Sequence, residues 1–305
     1  MRAVICTRYG PPEVLELAEV PRPSPRPNEV CVRVVATAVT ASDGIVRTLE
    51  PTSLTRIMAR LALGITAPRQ PILGLVMAGE VESVGREAKR FQQGDPVFGF
   101  TGAKFGTYAE LVCVPEDGFI TQKPSNLSYE DAAAIPYGGL LAVSFLRKAR
   151  VGSGQRVLIY GASGAIGTTA IQVVKHLGSR VTAVCSTVNL ELVKSLGADM
   201  VVDYTREDFT KRGERYDVVL DAVGKRKSAR ALANARNALT ATGVVVSVDD
   251  GLAKPLPSDL IVLKTLCESG ELRPVIDRTY PLEEMVDAHR YVDKGHKRGN
   301  VVVTV

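Results

Sequence analysis

The sequence predicts an α/β protein in two parts, a small barrel or sandwich of short strands and a parallel sheet with helices on both faces. Up to about residue 114, short aliphatic segments alternate with Pro and Gly, a spacing typical of small all-β folds. Beyond residue 150, strand and helix patterns alternate, which indicates parallel strands joined by crossover helices. The chain of 305 residues is long enough for two domains.

The predicted elements of the first part are short. Strands are expected at residues 2–6, 15–20, 29–38, 79–84, 96–98 and 108–114. Residues 21–29, PRPSPRPNE, are expected to form an extended connector because their four prolines remove backbone donors. Residues 54–65 carry apolar side chains at helical spacing. We expect a helix packed on this part of the protein; a mobile lid or a membrane-surface helix is the alternative.

The second part is predicted as a regular alternation. Strands are expected at 156–160, 180–185, 200–202, 217–221 and 244–248, and helices at 165–177, 189–196, 227–239, 259–268 and 282–294. Residues 300–305 are again β-like, and the last segments resemble the first part in character. We therefore expect one domain formed by residues 1–120 and 270–305, and a second formed by residues 121–269.

Composition narrows the function. The net charge is +5, but the sequence has neither a basic run nor an aromatic-basic stripe, so no nucleic-acid partner is expected. Attraction of a small anionic ligand explains the positive charge equally well. The five cysteines are dispersed without a CxxC pair, which predicts a reducing, intracellular setting. The three histidines form no HExxH motif and are expected at the surface or at helix ends. No apolar run is long enough to span a bilayer, so we expect a soluble, cytoplasmic protein.

The strongest local motif is VLIYGASGAIGTTAIQVVKHLG, at 157–178. A strand leads through Gly161, Gly164 and Gly167 into an apolar helix, while Ala162 stands at the first glycine of a strict GxGxxG fingerprint. Such a turn lets the backbone approach a pyrophosphate at the helix N-terminus. The motif predicts dinucleotide binding; the alternative is a glycine turn that serves only close strand-helix packing.

The end of the next strand bears on cofactor choice. Binding of NAD usually uses an acid there, and this strand ends in Cys185, Ser186 and Thr187. The hydroxyls leave room for a 2′-phosphate, although both residues equally suit an N-cap of the next helix. Tyr204 is expected at the adenosine end, and residues 221–224 close the fourth strand at the sheet edge where ligands bind.

These residues, together with several longer segments, carry a family resemblance. The segments are MRAVICTRYGPPEVLELAEVPRP, GDPVFGFTGAKFGTYAELVCVPED, SLGADMVVDY, LDAVG and GELRPVIDRTYPLEEMVDAHRYVDKGHKRGNVVVTV. Over nearly its whole length the chain resembles the medium-chain dehydrogenase/reductase superfamily, in its zinc-free, zeta-crystallin-type quinone oxidoreductase branch. The resemblance implies a GroES-like β-barrel catalytic domain plus a Rossmann doubly wound parallel sheet, with NADP(H) and substrate in the cleft between them.

The resemblance also implies site residues. The cofactor-binding positions are Gly161, Ser163, Gly164, Ala165, Ile166, Gly167, Ser186, Thr187, Tyr204, Ala222, Ser247 and Val248. The candidates for a hydrogen bond to the acceptor carbonyl are Thr40, Ser42 and Tyr137, and a packed core tyrosine is the alternative for the last. Asp43 is expected to form an i,i+4 ion pair with Arg47 rather than to orient substrate.

Departures from the family pattern refine the expected chemistry. Zinc alcohol dehydrogenases carry a Cys where this chain has Thr40 or Ala41, and a Gly-His-Glu at residues 74–76, so no metal site is expected. Relatives often have Arg at Val188, Asp at Val76 and Thr at Leu141. Residues 247–266 show no obvious extra strand of the kind that many relatives use to pair subunits, so monomer and homodimer both stay open.

We therefore expect an NADPH-dependent reductase that passes hydride to a quinone or an α,β-unsaturated carbonyl. The alternatives are an enoyl-thioester reductase and a nucleotide-binding regulator without turnover. A short-chain dehydrogenase is disfavoured because none of the nine tyrosines has Lys four residues later.

Overall fold

The structure, a computed structural model, describes residues 1–49, 54–251 and 254–305. It has the predicted α/β fold, with a β-rich portion and a five-stranded parallel sheet. Two compact units divide the chain: Met1–Pro136 with Ile276–Val305, and Tyr137–Val275. The domain boundaries expected from the sequence stay a prediction.

The first part contains β1 (Arg2–Cys6), β2 (Leu15–Glu19), β3 (Glu29–Val39), α1 (Ala41–Thr48), α2 (Leu54–Leu63), β4 (Val76–Val84), β5 (Pro96–Phe100), β6 (Leu111–Pro115), β7 (Ile120–Gln122) and α3 (Tyr129–Ala133). The rest contains α4 (Pro136–Lys148), β8 (Arg156–Tyr160), α5 (Ala165–His176), β9 (Arg180–Cys185), α6 (Leu190–Ser195), β10 (Met200–Asp203), β11 (Tyr216–Asp221), α7 (Lys225–Ala235), β12 (Leu239–Ser247), α8 (Pro257–Glu268), β13 (Ile276–Pro281), α9 (Met285–Asp293) and β14 (Asn300–Thr304).

The first unit is built on a seven-stranded sheet. Its strands run in the order β13, β14, β3, β4, β5 and β7, and β6 pairs with another part of the long strand β3. Valines alternate along β3 because successive side chains point to opposite faces, and Val30, Val32 and Val34 join Met77 and Val97 in a buried core. The C-terminal strand β14 lies beside β3, so the end of the chain completes the first unit.

The second unit is a parallel sheet in the order β10, β9, β8, β11, β12. The register places Tyr160 opposite both Val184 and Asp221, and Asp221 opposite Ser247. The carboxyl ends of four strands therefore meet at one edge of the sheet. Strands β9 and β10 are added on one side of β8, and β11 and β12 on the other. An α/β sheet binds its ligand at such a switch in strand order.

The helix predicted at 54–65 is present as α2, but its expected packing is wrong for the side chains that can be described. Met58, Leu61 and Ile65 are each at least half exposed. A contact of α2 with the rest of this unit is made by Arg60, whose guanidinium lies 4.6 Å from the centre of the Tyr9 ring. The side chains of residues 54–57 lie outside the described part.

Two expectations about polar residues are also wrong. Asp43 and Arg47 are both fully buried, and they bind different partners: Arg47 donates to the Gly10 carbonyl at 2.9 Å and to Asp293 at 2.5 Å. His289 lies neither at the surface nor at a helix end. It is buried against Tyr108, with ring centres 5.7 Å apart, and neither ring nitrogen has a hydrogen-bond partner.

No helix among the residues described is both long and apolar enough to cross a membrane.

Candidate cofactor and active site

The turn between β8 and α5 has the geometry that the glycine motif predicts. Gly161 takes φ +81°, a conformation that favours glycine, and a Cβ there would lie 2.3 Å from a methyl group of Val223. A Cβ on Gly167 would lie 2.4 Å from the Gly161 carbonyl oxygen. Both positions therefore require glycine for close packing of the turn.

Gly164 differs from these two glycines. It is the N-cap of α5, with φ −81° and ψ 175°, and a Cβ there would meet only the Gly161 carbonyl oxygen, at 3.6 Å. Open space therefore lies beside the backbone at the start of the helix. The amides of residues 165–167 belong to the first helical turn, whose N–H groups have no partner within the helix. Their partial positive charge favours an anion in that space.

Helix α4 also packs closely on this turn. A Cβ on Gly138 would lie 2.4 Å from the Ala165 carbonyl oxygen, so the backbones of α4 and α5 are in contact. Tyr137 precedes Gly138 directly and is half-buried. Tyr137, a candidate from the family resemblance, is therefore the sequence neighbour of the residue that contacts the first turn of α5.

Asn189, which sequence analysis did not select, joins the glycine turn to the end of β9. Its amide nitrogen donates to Ser163 Oγ at 3.1 Å and to Ser186 Oγ at 3.2 Å. The residue is buried, and its side-chain oxygen has no hydrogen-bond partner. A buried orphan acceptor is unfavourable unless a ligand supplies a donor. In the sequence, an asparagine three residues after Ser186 is typical of an ordinary turn. The hydrogen bonds in the structure are therefore what identify Asn189 as a site residue.

A carboxylate does lie near the end of β9, contributed by the neighbouring strand. Asp203 ends β10 opposite Cys185 and accepts a hydrogen bond from the Thr187 hydroxyl. Thr205 donates to the same carboxylate through its amide at 2.9 Å and its hydroxyl at 2.7 Å. These bonds, with the Arg206 guanidinium 3.6 Å away, hold the pKa of Asp203 below its usual value. The sequence argument found no acid in β9 itself and missed this one.

Tyr204 follows Asp203 and is half exposed. Its ring centre lies 6.2 Å from that of Tyr160, the last residue of β8. An aromatic surface thus flanks this end of the sheet edge, on the side where the adenosine end is expected.

The ends of β11 and β12 are tied together by Asp221. Its buried carboxylate accepts hydrogen bonds from the Ser247 hydroxyl at 2.7 Å and the Ser228 hydroxyl at 2.9 Å, and from the Val223 and Gly224 amides. The hydroxyl of Ser247 is therefore used inside the protein. Ala222 and Val248 are both half-buried, and their amides donate to the Tyr160 and Asp221 carbonyls.

In the other unit, Asp43 organises the loop that carries Thr40 and Ser42. Thr40 caps α1, and its hydroxyl and amide donate to the Asp43 carboxylate at 2.6 and 2.9 Å. The amide of Gly74 donates to the other carboxylate oxygen at 3.1 Å. Burial raises the pKa of Asp43 to about 6, because its effect is larger than that of these hydrogen bonds, which lower the pKa. The Thr40 hydroxyl is thus engaged, and Ser42 is half-buried beside it.

Comparison with known proteins identifies the fold and the family. Residues 26–125 match the alcohol dehydrogenase GroES-like domain, and residues 196–257 and 252–303 match the zinc-binding dehydrogenase family. The chain is 34% identical to a 2-methylene-furan-3-one reductase of Solanum lycopersicum, over 99% of this chain and 79% of the relative. It is 31% identical to an NADPH-dependent alkenal/one oxidoreductase of Arabidopsis thaliana, with the same coverage. The structure of a quinone oxidoreductase from Coxiella burnetii matches with a TM-score of 0.88 and 31% identity, over 100% of this chain and 99% of that one.

The chain belongs to the quinone oxidoreductase branch of the medium-chain dehydrogenase/reductase superfamily. The resemblance inferred from the sequence is confirmed, and so is the fold class, a GroES-like domain with a Rossmann-type sheet.

This medium-chain dehydrogenase/reductase does not offer zinc ligands at the positions where zinc-dependent relatives carry them. Thr40 presents a hydroxyl that is bound to Asp43, and Leu75 and Val76 present buried aliphatic side chains. Across residues 1–49, 54–251 and 254–305, no group of three His, Cys, Asp or Glu side chains is placed to hold a metal ion. The residues present therefore do not fit a catalytic zinc.

The structure shows the exposure of the three other residues that depart from the family pattern. Val188, where relatives often carry Arg, is 81% exposed at the turn after β9. Val76 is fully buried, and Leu141 is half-buried in α4. This dehydrogenase/reductase therefore has no cation at position 188, and the guanidinium of Arg206 lies 3.6 Å from the Asp203 carboxylate.

Proposed function

We propose that this chain is an NADPH-dependent reductase that passes a hydride to a quinone or an α,β-unsaturated carbonyl without a zinc ion. The observation that carries the proposal is the open space at Gly164, bordered by the amides of the first turn of α5. Two relatives are named as reductases of conjugated carbonyl compounds, and a matched structure is a quinone oxidoreductase.

The first turn of α5 supports binding of the diphosphate. A phosphate group at residues 164–167 would accept hydrogen bonds from amides that have no partner in the helix, and the helix dipole adds to the attraction. Asn189 fixes Ser163 and Ser186 with its amide nitrogen and keeps its oxygen for a ligand donor such as a ribose hydroxyl. The side chains around the turn thus form a polar cradle.

The end of β9 is where NADPH and NADH would be told apart. Ser186 offers a hydroxyl to a 2′-phosphate, and the exposed Arg206 offers a charge, whereas Thr187 directs its hydroxyl proton at Asp203. Asp203 opposes this group, because its carboxylate repels a phosphate, but Thr187, Thr205 and Arg206 already engage it. We assign Arg206 as the cationic partner of the 2′-phosphate in place of the arginine that relatives carry at position 188.

The nicotinamide end would lie at Ala222, Ser247 and Val248, where β11 and β12 end. When bound, the dihydronicotinamide supplies the hydride. The chain's own task is to orient the acceptor and to donate a hydrogen bond to its carbonyl oxygen as negative charge develops there. Ser42 and Tyr137 are the proposed donors. The Thr40 hydroxyl, which points its proton at Asp43, holds the loop that carries Ser42.

A conjugated acceptor suits this set of residues. Catalytic zinc polarises the carbonyl of an alcohol-aldehyde pair, and the aliphatic side chains of Leu75 and Val76 cannot replace it. In a quinone or an enone the negative charge is delocalised, so a hydrogen bond from a hydroxyl supplies enough stabilisation for hydride transfer.

The test is an acceptor screen with the purified chain. NADPH oxidation is followed at saturating cofactor with small quinones, linear enals and enones, enoyl thioesters and saturated aldehydes, with and without a chelator. We expect turnover with quinones or enones and no effect of the chelator. Turnover confined to thioesters would favour the enoyl reductase alternative. Tight NADPH binding without turnover on any acceptor would contradict a reductase and favour a regulator.

A further inference from the structure

Two of the five cysteines, which are far apart in sequence, face each other across the sheet of the first unit. Cys31 on β3 and Cys113 on β6 are directly opposite in the antiparallel register. Both are reduced in this structure. They lie on the face opposite the core valines, because their neighbours Val30, Val32 and Val114 pack into the buried cluster.

The pair occupies a position that suits a cross-strand disulfide. The Val34 amide donates to the Glu110 carbonyl, and the Glu116 amide donates to the Asn28 carbonyl. Hydrogen-bonded pairs therefore alternate from 34 and 110 to 28 and 116, which leaves Cys31 and Cys113 as a non-hydrogen-bonded pair. The Cα atoms of such a pair are about 4.5 Å apart, within the range of about 4.4–6.8 Å that a disulfide spans.

The two thiols also interact. Their interaction lowers the pKa of Cys31, against the effect of burial, and raises the pKa of Cys113, as burial also does. Arg22 adds to the stabilisation of a Cys31 thiolate, and Glu82 opposes it. The other buried thiols behave differently: burial raises the pKa of both Cys6 and Cys185 to about 11. A thiolate is therefore favoured at Cys31 over Cys113, Cys6 and Cys185.

Access differs between the two sulfurs. Cys31 is 2% exposed, and Cys113 is partly exposed at the surface of the sheet. A small oxidant can reach the pair from the side of Cys113, and because the two residues are directly opposite, the sulfur that is not oxidised can attack the oxidised one before further oxidation.

We propose that Cys31 and Cys113 form a redox site that a hydroperoxide converts into a disulfide. A thiolate of the pair attacks the peroxide, the O–O bond breaks, and the leaving hydroxide takes up a proton to become water. The second thiol then loses its proton and attacks the resulting sulfenic sulfur, and the hydroxide that leaves takes up this proton to become a second water. Two thiols and one hydrogen peroxide thus give one disulfide and two waters, with two electrons passing from sulfur to oxygen. This site is separate from the proposed cofactor residues and does not rest on the proposed function.

The test uses the full chain, reduced, desalted and treated with hydrogen peroxide at a dose that oxidises glutathione. The remaining thiols are alkylated after denaturation and counted, and unreduced peptides are mapped by mass spectrometry. From five free thiols we expect a loss of two, with a peptide that links Cys31 to Cys113 and disappears on reduction. The oxidised chain should melt at a higher temperature, because the link constrains the unfolded state.

Variants and controls sharpen this experiment. Cys113→Ser should abolish the linked peptide, while the matched variant Cys185→Ser, at another buried thiol, should retain it. The linked peptide is first mapped in the native chain, so the proposal can still be tested if a variant folds poorly. All five thiols remaining free at that dose, a link between other cysteines, or a link formed only between chains would overturn the proposal.

Discussion

The cofactor edge of the second unit and the polar cluster inside the first unit are both built from polar groups, and they use them in opposite ways. At the edge, glycines at 161, 164 and 167 bring backbone amides to open space, and side chains such as Asn189 keep an unused acceptor. In the first unit, Asp43, Arg47 and His289 are fully buried. The first arrangement prepares a site for a charged ligand, and the second makes stability depend on protonation.

The largest expected effect lies at the glycine turn. Gly167→Ala places a Cβ 2.4 Å from a backbone carbonyl, so we expect a loss of about 3 kcal/mol in unfolding free energy. Gly164→Ala meets no such neighbour and should unfold like the native chain, within about 0.5 kcal/mol. Urea denaturation measures both. Equal losses for the two variants would remove the distinction between a packing glycine and a ligand-facing one.

His289 and Asp43 give the next largest effect, and their contributions to pH dependence have opposite signs. Burial, together with the nearby Arg47, lowers the pKa of His289 from 6.5 to about 3, so the unfolded chain takes up a proton first and stability falls as the pH drops below 6.5. Burial raises the pKa of Asp43 from 3.8 to about 6, so the folded chain takes up a proton first and stability rises as the pH drops through 6. In the native chain the two largely offset each other over this range.

Replacing His289 separates them. His289→Phe keeps the contact with Tyr108 and removes two unpartnered nitrogens, so we expect a gain in unfolding free energy that is about 2 kcal/mol larger at pH 5 than at pH 8. His296→Phe, at an exposed position, is the control and should show no such difference. Urea denaturation at both pH values is the measurement. A gain that does not change with pH would contradict the account of His289.

A smaller effect is expected at the end of β9. Arg206→Ala should weaken NADPH binding about tenfold, or about 1.4 kcal/mol, and leave NADH binding nearly unchanged. Asp203→Asn should shift the preference the other way, towards NADPH, because it removes a carboxylate beside the 2′-phosphate. Calorimetric titration of both cofactors measures this. A parallel loss of NADPH and NADH affinity in Arg206→Ala would show a structural role instead.

The smallest effect is expected on helix α2. Leu61→Gln changes an exposed side chain, so the unfolding free energy should stay within about 0.5 kcal/mol of the native value. Thermal melting checks this, with Leu73→Gln in the buried core as a strongly destabilised reference. A large loss for Leu61→Gln would restore the packed helix that the sequence predicted.

How far the sequence predicted each region depends on the range of the contacts. The glycine turn is local, since strand, turn and helix follow one another, and its residues were found without the structure. Asp203 contacts Thr187 from a neighbouring strand, and Cys113 faces Cys31 because of the strand register. Neither contact can be read from the residues adjacent in sequence, because both depend on how strands pair. His289 was misplaced because a histidine on an amphipathic helix does not reveal whether its own position faces solvent.

The surroundings of the hydroxyls proposed to act on the substrate also depend on contacts between residues that are far apart in the sequence. Thr40 was chosen from the family resemblance, and the structure shows that its proton is directed at Asp43. Ser42 and Tyr137 stay predictions, supported by the loop that Asp43 shapes and by the contact of Gly138 with α5.

The central claim is that NADPH binds at the turn between β8 and α5, and calorimetric titration of the Gly164→Ala variant tests it most directly. The added methyl group occupies the space assigned to the diphosphate, so we predict that NADPH binds about tenfold or more weakly than to the native chain. Gly152→Ala, with no atom within 4 Å of the new methyl group, should bind NADPH like the native chain. Unchanged affinity in a folded Gly164→Ala variant would contradict the account.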